Sequence, residues 1–202
     1  MKVNRATYQD NLSDKEIWNL FRSGSDAAFE YLYETYFDKL YNYGCQFTKD
    51  HALVEDTLQE LFIELRKRGK HLSETDKVLP YLCSAFRRKI IRYRTKLSRF
   101  KELDSQNSFL FESSIEQSLI EKDHQEAQKA RLQQSLGTLS EKHREIIYLF
   151  YYENLSYEEI QEIQGFDNIK SARNLLYKAL KSLRKSLLTL TIIIVFSLFS
   201  RL

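Results

Sequence analysis

The sequence predicts an all-α protein of two small helical domains joined by a flexible acidic linker, the second domain a helix-turn-helix. Three observations carry this. The 202 residues include one proline and five glycines, and the apolar residues recur with a helical rather than an alternating period. Capping boxes, a serine followed three residues later by a glutamate, mark helix starts at Ser13 with Glu16 and at Ser156 with Glu159. Between these blocks, residues 102–127 are acidic and rich in Ser and Gln, with too few apolar side chains for a core. A hydrophobic fraction of 43% suffices for the cores on either side.

The first helix follows the Ser13 box. Ser25 is positioned to cap the next, "DAAFEYLYETYFDKLYNY", whose Phe29, Leu32, Tyr36, Leu40 and Tyr43 form a bulky stripe best read as core. In "VEDTLQELFIEL", about 100° per residue places Val54, Leu58, Leu61, Phe62 and Leu65 on one face. Asp56, Gln59, Glu60 and Ile63 fall on the other. A solvated helix face accounts for the carboxylates but not for an isoleucine among them, whereas a partner that buries Ile63 accounts for both. No nearby nucleophile, metal-ligand set or phosphate loop makes these carboxylates a catalytic pair.

A polar loop over 69–77 leads into a basic helix that begins near Pro80. Leu82, Phe86, Ile90, Tyr93 and Leu97 share one of its faces, and Arg88, Arg92, Lys96 and Arg99 another. Residues 87–101 hold eight Lys or Arg and no acid, 102–126 hold seven acids against Lys122, and 170–185 hold six bases and no acid, on a chain of net charge +3. Segregated charge of this kind suits a nucleic-acid binder, and a membrane-surface helix or an ordinary solvated basic face would look similar. Cations beside Tyr81 and Phe100 fit a single strand, with phosphates on the bases' side chains and rings against unstacked nucleobases.

The linker over 102–127 carries at most one helical turn near Ser114. The C-terminal block reads as a helix from Glu141, a break at 153–155, a short helix "YEEIQEIQ", a turn "GFDN" and a longer helix from Ile169. In that last helix Ile169, Ala172, Leu176, Leu180 and Leu183 form the packed face. Lys170, Asn174, Tyr177, Lys181 and Arg184 form the opposite one, a set able to contact phosphates and base edges in a major groove. A plain three-helix packing unit would give the same pattern. Residues 187–199, "LLTLTIIIVFSLF", are almost wholly apolar; with Ser186 and Ser200 they make 15 uncharged residues, about 22 Å as a helix against a hydrocarbon core of roughly 30 Å. The run is short for a membrane span, which leaves contact with the protein's own domains, a protein partner or shallow membrane attachment.

Cys45 and Cys83 have no metal-ligand spacing, His51, His71, His124 and His143 are scattered, and the sequence opens without a secretory signal. A reduced, cytosolic protein that needs no metal or other cofactor is expected. Three function classes fit these residues: a DNA binder whose acidic helix docks on a protein partner, a helix-turn-helix regulator with an N-terminal interaction module, and a membrane-tethered adaptor with basic patches on anionic lipid. The acidic helix with its outward isoleucine favours the first.

The succession of "DTLQELF", a loop, "PYLCSAFRRKIIRYR", a linker and "LSEKHREIIYLFYYENLSYEEIQEIQGF" resembles the extracytoplasmic-function group of bacterial RNA polymerase sigma factors, in the sigma-70 family, from about Phe21 to Lys185. The resemblance implies a region 2-like domain at 1–101, a linker at 102–127, a region 4-like domain at 128–186 and an additional apolar tail at 187–202. It implies that Asp56, Gln59, Glu60 and Phe62, with Ile63, dock on the clamp helices of the beta-prime subunit of core RNA polymerase. Promoter melting at the minus-10 element would fall to Lys70, His71, Tyr81, Arg87, Arg88, Arg92 and Lys96, and reading of the minus-35 duplex to Lys170, Ser171, Arg173, Asn174, Tyr177, Lys178 and Lys181. Such a factor is not an enzyme. Its implied partners are core polymerase, duplex and melted promoter DNA, and an anti-sigma factor or other regulator; Arg88 and the apolar tail add room for an accessory DNA-targeting partner, and for the tail a protein contact is favoured over membrane contact. Two departures stand out: Arg88 occupies a position where the family usually has asparagine, and the last helix is about one turn longer than the common pattern.

Overall fold

The computed structural model describes residues 12–100 and 124–199, with side chains placed over 12–96 and 130–188. The chain divides into two compact units, whose main parts are these two stretches. The first holds α1 (Asp14–Arg22), α2 (Asp26–Cys45), α3 (His51–Arg68) and α4 (Val78–Phe100), with a 3-10 turn at Gly69–His71. The second holds α5 (His124–Gly137), α6 (Glu141–Ile147), which widens into a π turn at Tyr148–Tyr152, then α7 (Tyr157–Gln164) and α8 (Ile169–Phe199).

The first three helices of the first unit begin where the sequence provides a cap. Ser13 and Glu16 form the full box, Ser25 Oγ accepts from the Ala28 N–H, and Asp50 Oδ1 accepts from the Leu53 N–H; each such cap contributes about 1 kcal/mol. Helices α2, α3 and α4 pack around Leu40, Tyr43, Val54, Leu58, Leu82, Phe86 and Ile90, all essentially inaccessible to solvent. Gly44 is where the three come closest. A Cβ built there would lie 2.6 Å from Val54 Cγ1 and 2.8 Å from Phe86 Cζ, so only glycine permits this approach.

The loop that follows α3 is tied to α1. Trp18, wholly buried, donates its indole N–H to the Ser73 carbonyl at 2.9 Å. Arg22 Nε donates to the Leu72 carbonyl at 2.8 Å and its guanidinium meets Glu74 at 3.1 Å. Leu72, 2% exposed, closes the loop onto the core.

In the second unit α5 and α6 both pack on α8. Arg144 is buried at their junction and donates to the carbonyls of Leu136, Gly137 and Leu139, which ties the end of α5 and the turn after it to α6. The π turn is closed by the Glu153 N–H on the Tyr148 carbonyl at 3.1 Å, and the break after it places Asn154 at φ 53°, a region asparagine tolerates. The capping box at Ser156 and Glu159 starts α7, and Gly165 at φ 68° makes the turn into α8.

One expectation is corrected. Residues 124–127 belong to α5 rather than to a linker, while 102–123, including the expected turn near Ser114, lie outside the described residues. The side chains of Leu97, Arg99 and Phe100 also lie outside them. Helix α8 runs on from the helix-turn-helix to Phe199, and no glycine or proline interrupts 169–199. Among the described residues no helix is long and apolar enough to cross a membrane.

Candidate docking and nucleic-acid interfaces

The two faces of α3 separate as their period requires. Val54, Leu58, Leu61, Phe62 and Leu65 are buried, together with Thr57, whose hydroxyl donates to the Leu53 carbonyl. Glu55, Asp56, Gln59 and Ile63 are exposed, and Ile63 keeps 52% of its surface in solvent. Phe62 does not stand on that face. It is 3% exposed, with its ring edge-on to Tyr33 and Phe29, so it supports the surface from below.

Glu60 is not a free carboxylate either. It accepts a short hydrogen bond from the Tyr93 hydroxyl and pairs with Lys89 Nζ at 3.2 Å, while Lys89 also meets Glu64 at 2.6 Å. The Tyr93 hydrogen bond is the main cause that holds the Glu60 carboxyl below its ordinary range, and Lys89 adds to it against the cost of burial. Burial disfavours the Lys89 ammonium, yet the two carboxylates outweigh it and raise its pKa. Glu60 therefore stays ionised at neutral pH and its charge is directed at α4. The carboxylates left for a partner are those of Glu55 and Asp56.

Beside this face α2 presents an aromatic ridge at i, i+4 and i+8. Tyr33 is exposed, Phe37 lies 5.1 Å from it, and Tyr41 follows and hydrogen-bonds His51 Nδ1 at 3.0 Å. The spacing of Tyr33, Phe37 and Tyr41 is a second helical stripe on α2 beside the one that begins at Phe29 and Leu32.

A second surface forms between α3 and α4. A cleft of about 360 Å³ is lined by Glu64, Arg68, Tyr81, Arg88, Lys89 and Arg92, among others. Tyr81 is half-buried with its ring 5.0 Å from Trp18. Arg88 is exposed, and its guanidinium is steadied by Ser84 Oγ at 2.6 Å. The Arg92 guanidinium lies 5.6 Å from the Tyr93 ring centre. Lys96 is exposed one turn further on, Arg87 is half-buried, and Lys70 and His71 are exposed on the 3-10 turn. The cleft thus combines guanidinium groups with one supported aromatic ring, chemistry suited to a nucleotide's phosphate and base.

On α8, Ala172, Leu176 and Ala179 are buried and Ile169, Leu180 and Leu183 half-buried. Lys170, Arg173, Asn174, Tyr177, Lys178, Lys181 and Arg184 are exposed, Tyr177 by 67%. Arg173 leans over the Tyr157 ring of α7 at 5.3 Å, which fixes the two helices' outer faces together. Ser171 is the member whose role changes: its backbone N–H and hydroxyl both donate to Asn168 Oδ1, at 3.0 and 3.2 Å. It caps the helix.

Comparison with known proteins agrees with these two units. The family model for Sigma-70 region 2 matches residues 32–100 and that for Sigma-70, region 4 matches 129–183, together more than half of the chain. The ECF RNA polymerase sigma factor SigM of Bacillus subtilis (strain 168) is 28% identical over 156 residues, covering 76% of this chain and 91% of that protein. The RNA polymerase sigma factor CarQ of Myxococcus xanthus is 25% identical over 149 residues, covering 72% and 81%. In fold the chain is similar to the sigma factor RpoE, solved with the anti-sigma factor NepR from Bartonella quintana, at a TM-score of 0.57 with 19% identity over 79% of this chain and 96% of that one. It is also similar to CnrH, solved with the cytosolic domain of CnrY, at a TM-score of 0.58 with 18% identity over 85% and 95%. Region 2 and region 4 therefore occur in order on one chain, each on a unit whose exposed face carries the matching chemistry, and the protein belongs to the extracytoplasmic-function group of the sigma-70 family of RNA polymerase sigma factors.

Proposed function

We propose that this sigma factor divides its work among three surfaces, and that it acts in the cytoplasm by binding rather than by catalysis. In the region 2-like domain, 1–101, the outer face of α3 docks on the clamp helices of core polymerase through Asp56, Gln59 and Ile63. Glu60 and Phe62 position that face from behind, and Tyr33 extends it. The observation that carries this is Ile63, an exposed isoleucine on a carboxylate face that no fold requirement explains. Lys70, His71, Tyr81, Arg88, Arg92 and Lys96 hold the displaced strand at the minus-10 element, with Arg87 contributing from the flank. Arg88 brings phosphate affinity where asparagine is usual and so relaxes base discrimination there. The region 4-like domain, 128–186, reads the minus-35 duplex through Lys170, Arg173, Asn174, Tyr177, Lys178 and Lys181. Residues 102–123 connect the first domain to α5. An anti-sigma protein that covers these same exposed faces is the partner by which such a factor is held inactive, as the similar RpoE was solved bound to one.

Size-exclusion chromatography of the purified chain with bacterial core RNA polymerase tests the reading. Coelution at equimolar ratio is the expected result, and separate elution at micromolar concentration would leave a helix-turn-helix regulator instead. Within the bound complex, Lys170→Ala with Asn174→Ala is expected to lower affinity for a minus-35 duplex by about 1–3 kcal/mol and to flatten its sequence preference. A loss equal across all sequences would make the pair phosphate contacts only.

A further inference from the structure

Helix α8 changes character along its length without a break. Between 169 and 199 it has six basic residues and no acid. At the helical period Lys170, Arg173, Lys178, Lys181, Arg184 and Lys185 all fall within an arc of about 140°, opposite the buried Ala172, Leu176 and Ala179. From Leu187 to Phe199 no charged residue occurs, and the three hydroxyl residues in that run, Thr189, Thr191 and Ser197, fall far apart around the helical repeat. The run therefore has no polar face.

A protein groove covers one side of a helix, whereas a sequence apolar at every register needs a surrounding that is apolar on all sides. Hydrocarbon is such a surrounding. The run is bounded by Lys185 and Arg201, so its 13 residues span about 20 Å as a helix, less than the roughly 30 Å of a bilayer core. That length enters one leaflet without crossing both. Leu187 is half-buried beside the Thr138–Ser186 hydrogen bond, while Leu188, next in the run, is 60% exposed, so the domain covers only one side of the run where it begins. The cationic arc leads directly into it, with Lys181, Arg184 and Lys185 within two turns of Leu187, where the headgroups of an anionic leaflet would lie.

From this continuity we infer that α8 docks on an anionic lipid surface, with residues 187–199 in the apolar layer, and that this docking excludes DNA from the cationic face of the same helix. The second half of the statement rests on the proposed minus-35 role of α8. Membrane and duplex are both polyanions, and one rigid helix offers both the same lysines and arginines. The two states are mutually exclusive, which makes the membrane a reservoir of inactive factor and release from it a step that precedes promoter binding.

The test uses the full chain with two probes: vesicles of phosphatidylcholine, with or without an equal part of phosphatidylglycerol, and a fluorescent mixed-sequence duplex of about 30 base pairs at low salt. The intact chain is expected to cosediment with the anionic vesicles at least tenfold more tightly than with the neutral ones, and the anionic vesicles alone should displace it from the duplex. Ile193→Asp with Phe196→Asp should abolish vesicle binding and keep duplex affinity, so that vesicles no longer displace it. Lys181→Glu with Arg184→Glu should weaken both, each removed cation counting for about fivefold at the membrane. Intact chain that binds the duplex but neither kind of vesicle overturns the inference and leaves the DNA reading standing. Vesicle-bound chain that retains its full duplex affinity overturns the exclusion. Vesicle binding without any duplex affinity overturns the DNA role of α8, and the exclusion with it. A chain that self-associates through the run, losing its oligomer in Ile193→Asp with Phe196→Asp and ignoring lipid, would make a second copy the occupant and overturn the inference also.

Discussion

Asp56→Lys combined with Ile63→Glu is expected to weaken binding to core RNA polymerase by at least about a hundredfold, close to 2.7 kcal/mol, with little change in the melting temperature of the free protein. Both positions are exposed in the free chain, and substitutions at such sites usually stay within about 0.5 kcal/mol in stability. At a docked surface the accounting differs. A glutamate at the centre of a desolvated contact leaves an unpaired carboxylate, and the lysine turns an attraction to basic clamp residues into a repulsion, each costing about 2 kcal/mol or more. Competition binding against the wild-type chain measures this directly. Glu60 is the wrong position for the experiment: its reversal would break the Lys89 pair and the Tyr93 hydrogen bond and so mix docking with folding. Unchanged affinity in the Asp56 and Ile63 variant would move the contact off α3, with the aromatic ridge of Tyr33, Phe37 and Tyr41 the nearest alternative.

The largest effect on stability is expected from Gly44→Ala. In an open helix the change would stabilise by about 1 kcal/mol, because alanine restricts the unfolded chain and favours the helix. Here the new methyl would meet Val54 at 2.6 Å and two Phe86 ring atoms at 2.8 and 2.9 Å, and both side chains are wholly buried with no space to yield. Overpacking of this kind costs roughly 3 kcal/mol or more, so the steric term wins. A net loss of about 2–3 kcal/mol, some 10–20 °C in melting temperature for a domain of this size, is the expected outcome of thermal unfolding followed by circular dichroism. A neutral or stabilising result would mean that α2, α3 and α4 are less closely packed than described. The same wedge would shift α3 against α4, so polymerase affinity should fall with stability.

Much of this was legible in the residues, and what was missed has a common cause. Helix faces follow from local period, so the buried set Val54, Leu58, Leu61 and Leu65 and the cationic arc of α8 could be placed without any tertiary knowledge. Caps are local too, and the Ser13 and Ser156 boxes stand where they were read. Glu60 was assigned to the outward face because its partners, Lys89 and Tyr93, are 29 and 33 positions away and only the packing of α3 on α4 brings them to it. Gly44 gave no signal in sequence, since a glycine near a helix end reads first as a terminator and not as a contact point for two other helices. The first four residues of α5 fall in the expected linker and the rest carries no helix signal because its residues are mostly polar, and the carbonyl clasp by Arg144 near its end depends on a side chain from the following helix.

The hydrogen bonds from Trp18 and Arg22 to the backbone of residues 72 and 73 have a kinetic consequence. They make the loop after α3 and helix α1 one cooperative opening unit, even though some fifty residues separate them along the chain. Amide hydrogens in the two segments should exchange with a shared opening free energy, and any event that frays α1 should release the loop with it. A loop held in this way keeps its shape in the free chain, so little ordering entropy is left to lose in any contact it makes.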